Sequence, residues 1–279
     1  MNDDFSAWID KQEVAHDRLD ATRSNALRAA LAQDASLREG DEMPVLHHWL
    51  HFWNVVPPGG LGADGHAARG KFLPPVPLPH RMWAGGRFEF IAPLKLGEAV
   101  TRTSTIISVT PKTGKSGELV FVTVKHEISG ENGLAMVEEQ DLVYRGGSTN
   151  TISAPGPDGP VPAAAWRETV EADSVLLFRY SALTMNSHRI HYDRSYTMNQ
   201  EGYPALVVHG PLQATLLADL AVRKGGALRA FSFRGHAPAF DIAPLHVCGE
   251  PGPDNAELWT EQDGAMRMVA TAAWGPDVS

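Results

Sequence analysis

Tyr180-Ser-Ala-Leu-Thr-Met-Asn186-Ser-His188-Arg189-Ile-His191-Tyr192-Asp193, followed by Gly202-Tyr-Pro-Ala-Leu-Val-Val-His209-Gly210-Pro211, is the stretch on which the reading of this chain turns. It gathers a carboxamide, imidazoles and a guanidinium into a few residues, then passes through a Gly-Pro step into an apolar run. Proline is tolerated in the first turn of a helix, where its missing N–H would be unpaired anyway. The spacing therefore predicts a helix from about residue 210 to 222. A compact polar cluster beside a helix start is a common way to build a small reactive site.

Outward from this stretch the pattern is strand-like. A short strand is expected over 175–180, and four more over 228–234, 245–248, 256–261 and 266–274. Upstream, residues 146–162 are rich in Gly, Pro and Ser and read as a linker. Before it, runs at 87–90, 101–109, 118–128 and 134–144 alternate with period two and are rich in Val, Ile, Thr and Phe, which predicts an antiparallel meander. The Gly-Lys-Ser triplet in Lys112-Thr-Gly-Lys-Ser-Gly117 is read as part of a hairpin. A phosphate loop needs a Gly four residues before that triplet and a helix behind it, but Val109 stands there and a strand follows.

Residues 57–80 hold too much Pro and Gly for helix or central strand and read as a long ordered loop, made basic by Arg69, Lys71 and Arg81, a character that suits a phosphate-bearing ligand. Residues 44–53, with His47, His48 and His51, read as a buried helix lining a pocket. Asp4 to Gln33 carries a helical pattern, with Asp20 or Thr22 as the cap of its second part. The division is thus α+β, in two tandem units: residues 1–148, a linker over 149–165, and residues 166–279. Pro44-Val-Leu and Pro204-Ala-Leu echo each other, an offset that sets Ala26 and Leu31 against Asn186 and His191 and makes the first unit the non-catalytic one.

Composition narrows the partners. The 279 residues, 43% hydrophobic, suffice for a substantial core. A net charge of -9 without a long basic run argues against nucleic acid or an anionic membrane as partner. Neither an 18-residue apolar span nor a signal peptide is evident, so a cytoplasmic protein is expected. Cys248, the single cysteine, reads as a small buried residue, and no metal framework can be written with it. His47 and His51 are spaced for one helix face but lack a carboxylate or thiolate beside them, so no metal and no cofactor is expected.

Asn186-Ser-His188-Arg189-Ile-His191 with the later His209-Gly210 resembles the hydratase signature of the MaoC-like, R-specific enoyl-CoA hydratases, and Met82-Trp-Ala-Gly85-Gly86-Arg87 is similar to the N-terminal domain of their two-unit members. The arrangement most resembles the type 2 hydroxyacyl-thioester dehydratases and the mesaconyl-C4-CoA hydratases. The resemblance implies a double hot-dog fold, each unit an antiparallel sheet wrapped around a central helix. It implies a hydro-lyase acting on an acyl-CoA thioester, with mesaconyl-C4-CoA to citramalyl-CoA as first choice, and a homodimer is expected. A fatty 3-hydroxyacyl-thioester dehydratase is the nearest alternative, and a non-catalytic acyl-CoA binding module the alternative of another class.

One position departs from the signature, because Asn186 stands where simpler members carry Asp. A carboxamide does not titrate, so Asn186 can only hold water, whereas a neutral imidazole at His191 can take a proton near neutral pH. Backbone N–H groups near Gly210 could face the thioester oxygen. Tyr180 and His209 are read as pocket wall. Arg189 would pair with a free acyl carboxylate if it faces the pocket, and with Asp193 if it does not.

Overall fold

The computed structural model describes residues 5–114, 117–146 and 161–275. The first unit contributes β1 (Gln12–Arg18), α1 (Ala21–Ala30), β2 (His80–Phe90), β3 (Ala99–Gly114), β4 (Gly117–Gly130) and β5 (Gly133–Arg145). The second contributes β6 (Trp166–Val170), α2 (Ser174–Thr184), α3 (Arg194–Asn199), α4 (Gly210–Gly225), β7 (Leu228–Gly235), β8 (Leu245–Pro251), β9 (Asn255–Gln262) and β10 (Ala265–Trp274). All ten strands form one sheet, in the order β1-β3-β4-β5-β2-β7-β10-β9-β8-β6. The neighbouring strands pair antiparallel, as the period-two runs predicted. The linker expected over 149–165 lies, as far as residue 160, outside the described residues.

The two units meet where β2 pairs with β7, Gly85 opposite Arg234 and Gly86 opposite Phe233. A Cβ on Gly85 would lie 2.6 Å from the Phe233 carbonyl oxygen, so any larger residue would push the seam open. Gly86 is nearly as confined, with the Phe233 ring at 3.0 Å and the Glu139 carbonyl at 3.2 Å.

α4 is the helix that the Gly-Pro step predicted, with Pro in its first turn. Leu212, Gln213, Ala214, Thr215, Leu216, Leu217, Ala218, Leu220 and Ala221 are all buried, and the helix packs against β7, β8, β9 and β10. A helix apolar on nearly every side belongs inside, and each buried Leu contributes roughly 2 kcal/mol. Its one buried amide, Gln213, is satisfied by Thr260, whose hydroxyl donates to Oε1 at 2.7 Å.

The first unit lacks an equivalent among the described residues. The helix expected over 44–53 is a single 3-10 turn, His47–Leu50, between two residues in the left-handed region, Leu46 (φ 61°) and Phe52 (φ 56°). A short apolar run bounded by prolines cannot be told from a buried turn by periodicity alone. The helical pattern read over 4–33 also divides. Ser6–Trp8 is a 3-10 turn and β1 pairs with β3, while α1 does start where Asp20 accepts from the Thr22 N–H at 2.7 Å. β2 begins at His80, seven residues before the strand expected from Arg87. The hairpin reading of 112–117 is borne out, with Gly114 and Gly117 the last paired residues of β3 and β4.

One apolar cluster spans both units, joining Leu19, Leu27, Leu46 and Leu50 to Leu177, Leu212 and Phe231. Cys248 is buried and reduced. No helix among the described residues is long and apolar enough to cross a membrane.

Candidate active site

The strand expected over 175–180 is the body of α2. Val-Leu-Leu-Phe has high strand propensity, but Asp173 caps a helix here by accepting from the Leu176 N–H at 2.8 Å, and Leu176, Leu177, Tyr180 and Ser181 are buried. α2 ends at Met185, which takes the left-handed conformation (φ 51°) of a helix stop. The motif is therefore the turn between α2 and α3. Asn186 folds it, its Oδ1 accepting from the His188 N–H at 3.0 Å, a side-chain turn for which Asn is well suited. A 3-10 turn, Arg189–His191, follows, and Asp193 caps α3 by accepting from the Tyr196 N–H at 3.0 Å.

His191 is buried. Its Nδ1 donates to the Val207 carbonyl at 2.7 Å, which fixes the tautomer and leaves the lone pair on Nε2. Burial pushes its pKa down to about 4, only partly opposed by the Val207 carbonyl, so the ring is neutral at pH 7. It stacks on His209, ring centroids 3.7 Å apart. His209 stands at the N-cap of α4, fully buried, with Nε2 2.8 Å from the Ser181 hydroxyl and Nδ1 lacking a hydrogen-bond partner. Tyr180 packs against His209 at 4.9 Å, and burial raises its phenol pKa. A Cβ on Gly210 would meet nothing closer than the Met268 methyl at 3.8 Å, so the fold itself does not demand glycine at this helix start.

Three further groups join this cluster: His188, quoted in the motif without a role, and His66 and Asp64, which sequence reasoning left unmarked. His188 lies edge-on to His191 at 5.4 Å, and on its other side the His66 ring approaches to 4.1 Å. Behind His66 stands Asp64, with Oδ2 2.9 Å from Nδ1 and Oδ1 accepting from the His66 N–H at 3.0 Å. A carboxylate thus enters the imidazole cluster from the first unit, while the motif position itself holds Asn186. Burial acts to raise Asp64, but its bonds to His66 outweigh that and hold the carboxyl well below the usual range. Burial and then the neighbouring His66 push His188 down to about 2.

The loop carrying Asp64 and His66 is docked on the motif turn. Arg189 N–H donates to the Asp64 carbonyl at 2.9 Å, Arg189 Nη1 to the Ala63 carbonyl at 3.1 Å, and the Ser187 hydroxyl to the Gly65 carbonyl at 2.5 Å. Gly65 sits at φ +88°, where a Cβ would lie 2.0 Å from the Ser187 carbonyl oxygen. Only glycine permits that approach.

Arg189 faces Asp193, donating through Nη2 at 2.7 Å and Nε at 3.1 Å, and lies over the Tyr196 ring. Of the two orientations that the sequence left open, the structure shows the ion pair, so pairing of Arg189 with an acyl carboxylate is not supported. A cavity of about 490 Å³ opens beside the cluster, walled by His66, His188, Arg81, Arg145, Tyr203 and neighbouring residues. His191, Asn186, His209, Gly210 and Tyr180 are not on its wall. His191 lies one ring behind His188.

Asp64, His66 and His188 are also the one group of three metal-ligand types close together among the described residues, their ligand atoms within 4.8 Å of one another. Asp64 already serves His66 through both oxygens, Oδ2 at the ring Nδ1 and Oδ1 at the backbone N–H, so Asp64 Oδ2 and His66 Nδ1 could bind an ion together only by breaking their bond. The cluster reads as acid–base machinery. His47 and His51 are apart from it, His51 being bonded to Arg23 and near Asp17.

Comparison with known proteins follows the same line. Residues 46–241 match the family model of hydroxyacyl-thioester dehydratase type 2. A mesaconyl-C4-CoA hydratase of Chloroflexus aurantiacus is 42% identical over 276 residues, 98% of each chain. Among solved structures, a MaoC-like dehydratase from Phytophthora capsici aligns with TM-score 0.69 at 12% identity, over 96% of this chain and 97% of that one. A Mycobacterium tuberculosis protein with a double hot-dog fold aligns with TM-score 0.53 at 14% identity, over 95% and 96%.

Proposed function

The chain belongs to the hydroxyacyl-thioester dehydratase type 2 family, and from that premise we propose that it is a hydro-lyase adding water reversibly to mesaconyl-C4-CoA. The observation that carries the chemistry is the bond from His191 Nδ1 to the Val207 carbonyl, which leaves a neutral imidazole with its lone pair on Nε2. In this reading water is held by Asn186, whose amide group is left to it once Oδ1 serves the turn. Nε2 of His191 takes a proton from that water as its oxygen bonds the β-carbon, and the imidazolium returns the proton to the α-carbon, so one molecule of water is added with no net proton. Entry through the cavity requires the His188 ring to move aside. Charge developing on the thioester oxygen faces the first N–H groups of α4 at Gly210, where the helix is electropositive. His209 and Tyr180 hold His191 from behind.

We further infer that residues 1–148 act chiefly as the second wall of the site and 166–279 as the unit carrying the motif, in a cytoplasmic homodimer. Light scattering on the purified protein tests the dimer. The activity is tested by the loss of enoyl-thioester absorbance with mesaconyl-C4-CoA and with crotonyl-CoA. Faster turnover of mesaconyl-C4-CoA supports the reading. Turnover of crotonyl-CoA and longer enoyl thioesters alone would favour the dehydratase of fatty acid metabolism that the family description suggests.

A further inference from the structure

The cavity beside the imidazole cluster carries three arginines, Arg69, Arg81 and Arg145, and two carboxylates, Asp64 and Glu201. Both carboxylates are engaged. Asp64 holds His66, while Glu201 accepts from the Tyr196 hydroxyl at 2.8 Å and lies 3.3 Å from Nδ1 of His80. Arg69 is engaged too, donating to the carbonyls of Val76, Leu78 and Pro79. Arg81 and Arg145 remain. Neither meets a carboxylate among the described residues, both are half-buried, and Nε of Arg145 is buried without a hydrogen-bond partner. They leave adjacent rungs of the β2–β5 ladder, where His80 pairs with Arg145 and Arg81 with Tyr144.

Two half-buried guanidiniums without a counter-ion cost folding energy unless an anion joins them. Arg81 lines the cavity together with His66 and His188, and its partner across the ladder is the phenol of Tyr144, which brings no negative charge. In mesaconyl-C4-CoA the free carboxylate is borne by the carbon that takes the hydroxyl. Its receptor must therefore lie beside the proton-transfer imidazoles, and a guanidinium fork matches a carboxylate with two parallel bonds.

We propose that Arg81, with Arg145 on the same cavity wall, is the receptor for the free carboxylate of a short dicarboxylic acyl thioester. The proposal rests on the hydro-lyase reading and assigns the residues that select its substrate, a role for which Arg189 is not free.

The test uses two saturated ligands that cannot be hydrated, so it does not depend on turnover. Methylsuccinyl-CoA, as the isomer with its free carboxylate on the β-carbon, and isovaleryl-CoA share one skeleton and differ only by carboxylate against methyl. Titration calorimetry on the intact protein should show methylsuccinyl-CoA bound tighter by roughly 30-fold, the scale of one charge-assisted paired contact. Arg81→Gln should erase most of that preference while leaving isovaleryl-CoA affinity within about twofold, and Arg81→Lys, which keeps the charge but loses the fork, should restore part of it. The proposal is overturned if the wild-type protein binds both ligands alike or if Arg81→Gln keeps the preference. It is equally overturned if Arg81→Gln weakens both ligands equally, which would put the guanidinium on a phosphate of the CoA. Carboxylate selectivity without hydration of mesaconyl-C4-CoA would instead sink the hydro-lyase reading and leave the receptor standing.

Discussion

Two sets of imidazoles lie among the described residues, one within the first unit and one where the first unit's loop meets the second, and they are placed differently. In the first unit His48 Nε2 is 2.9 Å from Glu138, which also accepts from the Trp49 indole at 3.0 Å and the Gln140 amide at 2.7 Å, while His126 meets the Ser104 hydroxyl at 2.8 Å. All of these lie inside the first unit, off the cavity wall, and Glu138 is 1% exposed. In the second set His191 and His209 stack behind His188, which with His66 forms the cavity wall. The contrast teaches that an imidazole cluster becomes a candidate site through its access to a cavity. The bonds of the first set hold a fold together where a central helix is missing.

The comparison breaks most visibly at His191. His191→Ala should lower kcat/KM by about 10³-fold, the scale of losing a general base, with a melting temperature close to wild type. Comparable loss from His126→Ala at unchanged stability would erase the distinction between the sets. Asp64→Asn should cost about 10- to 100-fold in kcat/KM, because His66, the ring packed on His188, loses the carboxylate that orients it. An unchanged rate would mean that the dyad is only a loop clasp.

Glu138→Gln should act in the opposite sense, costing about 3 kcal/mol of stability with activity per folded molecule retained. The pH dependence follows. Burial alone would raise Glu138, but its bond to His48 and the surrounding groups bring it down to about 2. Its folded pKa lies below its unfolded value of about 4.3, so its stabilisation is complete above that value and is lost as pH falls toward 2. Denaturation midpoints across pH 2 to 6 should fall steeply in the wild type and less so in Glu138→Gln. The smallest effect is expected at Arg189. Its pair with Asp193 is screened by solvent, so Arg189→Ala should scarcely move the melting temperature. If it also leaves affinity for the dicarboxylic ligand unchanged, the receptor role belongs to other residues.

Much of this was legible in the chain. Most strands of the sheet announced themselves through period two, β1 and β6 excepted, and α4 through its Gly-Pro start and apolar run. α2 did not, because Val175-Leu-Leu-Phe178 favours strand locally and becomes helix through the Asp173 cap and packing against the core. His191 and Asn186 were placed in one turn by spacing alone. Asp64 and His66 were hidden because they lie 122 and 120 residues before Asn186, in a Gly-rich loop whose approach depends on Gly65. A glycine flanked by Asp and His was the available signal, too weak to act on without knowing what lay opposite. Arg81 was noticed only as part of a basic loop, since the folded cavity was needed to bring it onto one wall with Arg145 and the imidazoles.

The seam at Gly85 and Gly86 carries a last consequence. Because β2 and β7 are hydrogen-bonded within one sheet, the loop bearing Asp64 is tethered to the motif turn at a high effective concentration. Neither half can part from the other without baring the edge of a strand and the apolar face beneath it. Heating should therefore melt both halves in a single cooperative transition, and activity should vanish at that temperature, not before it.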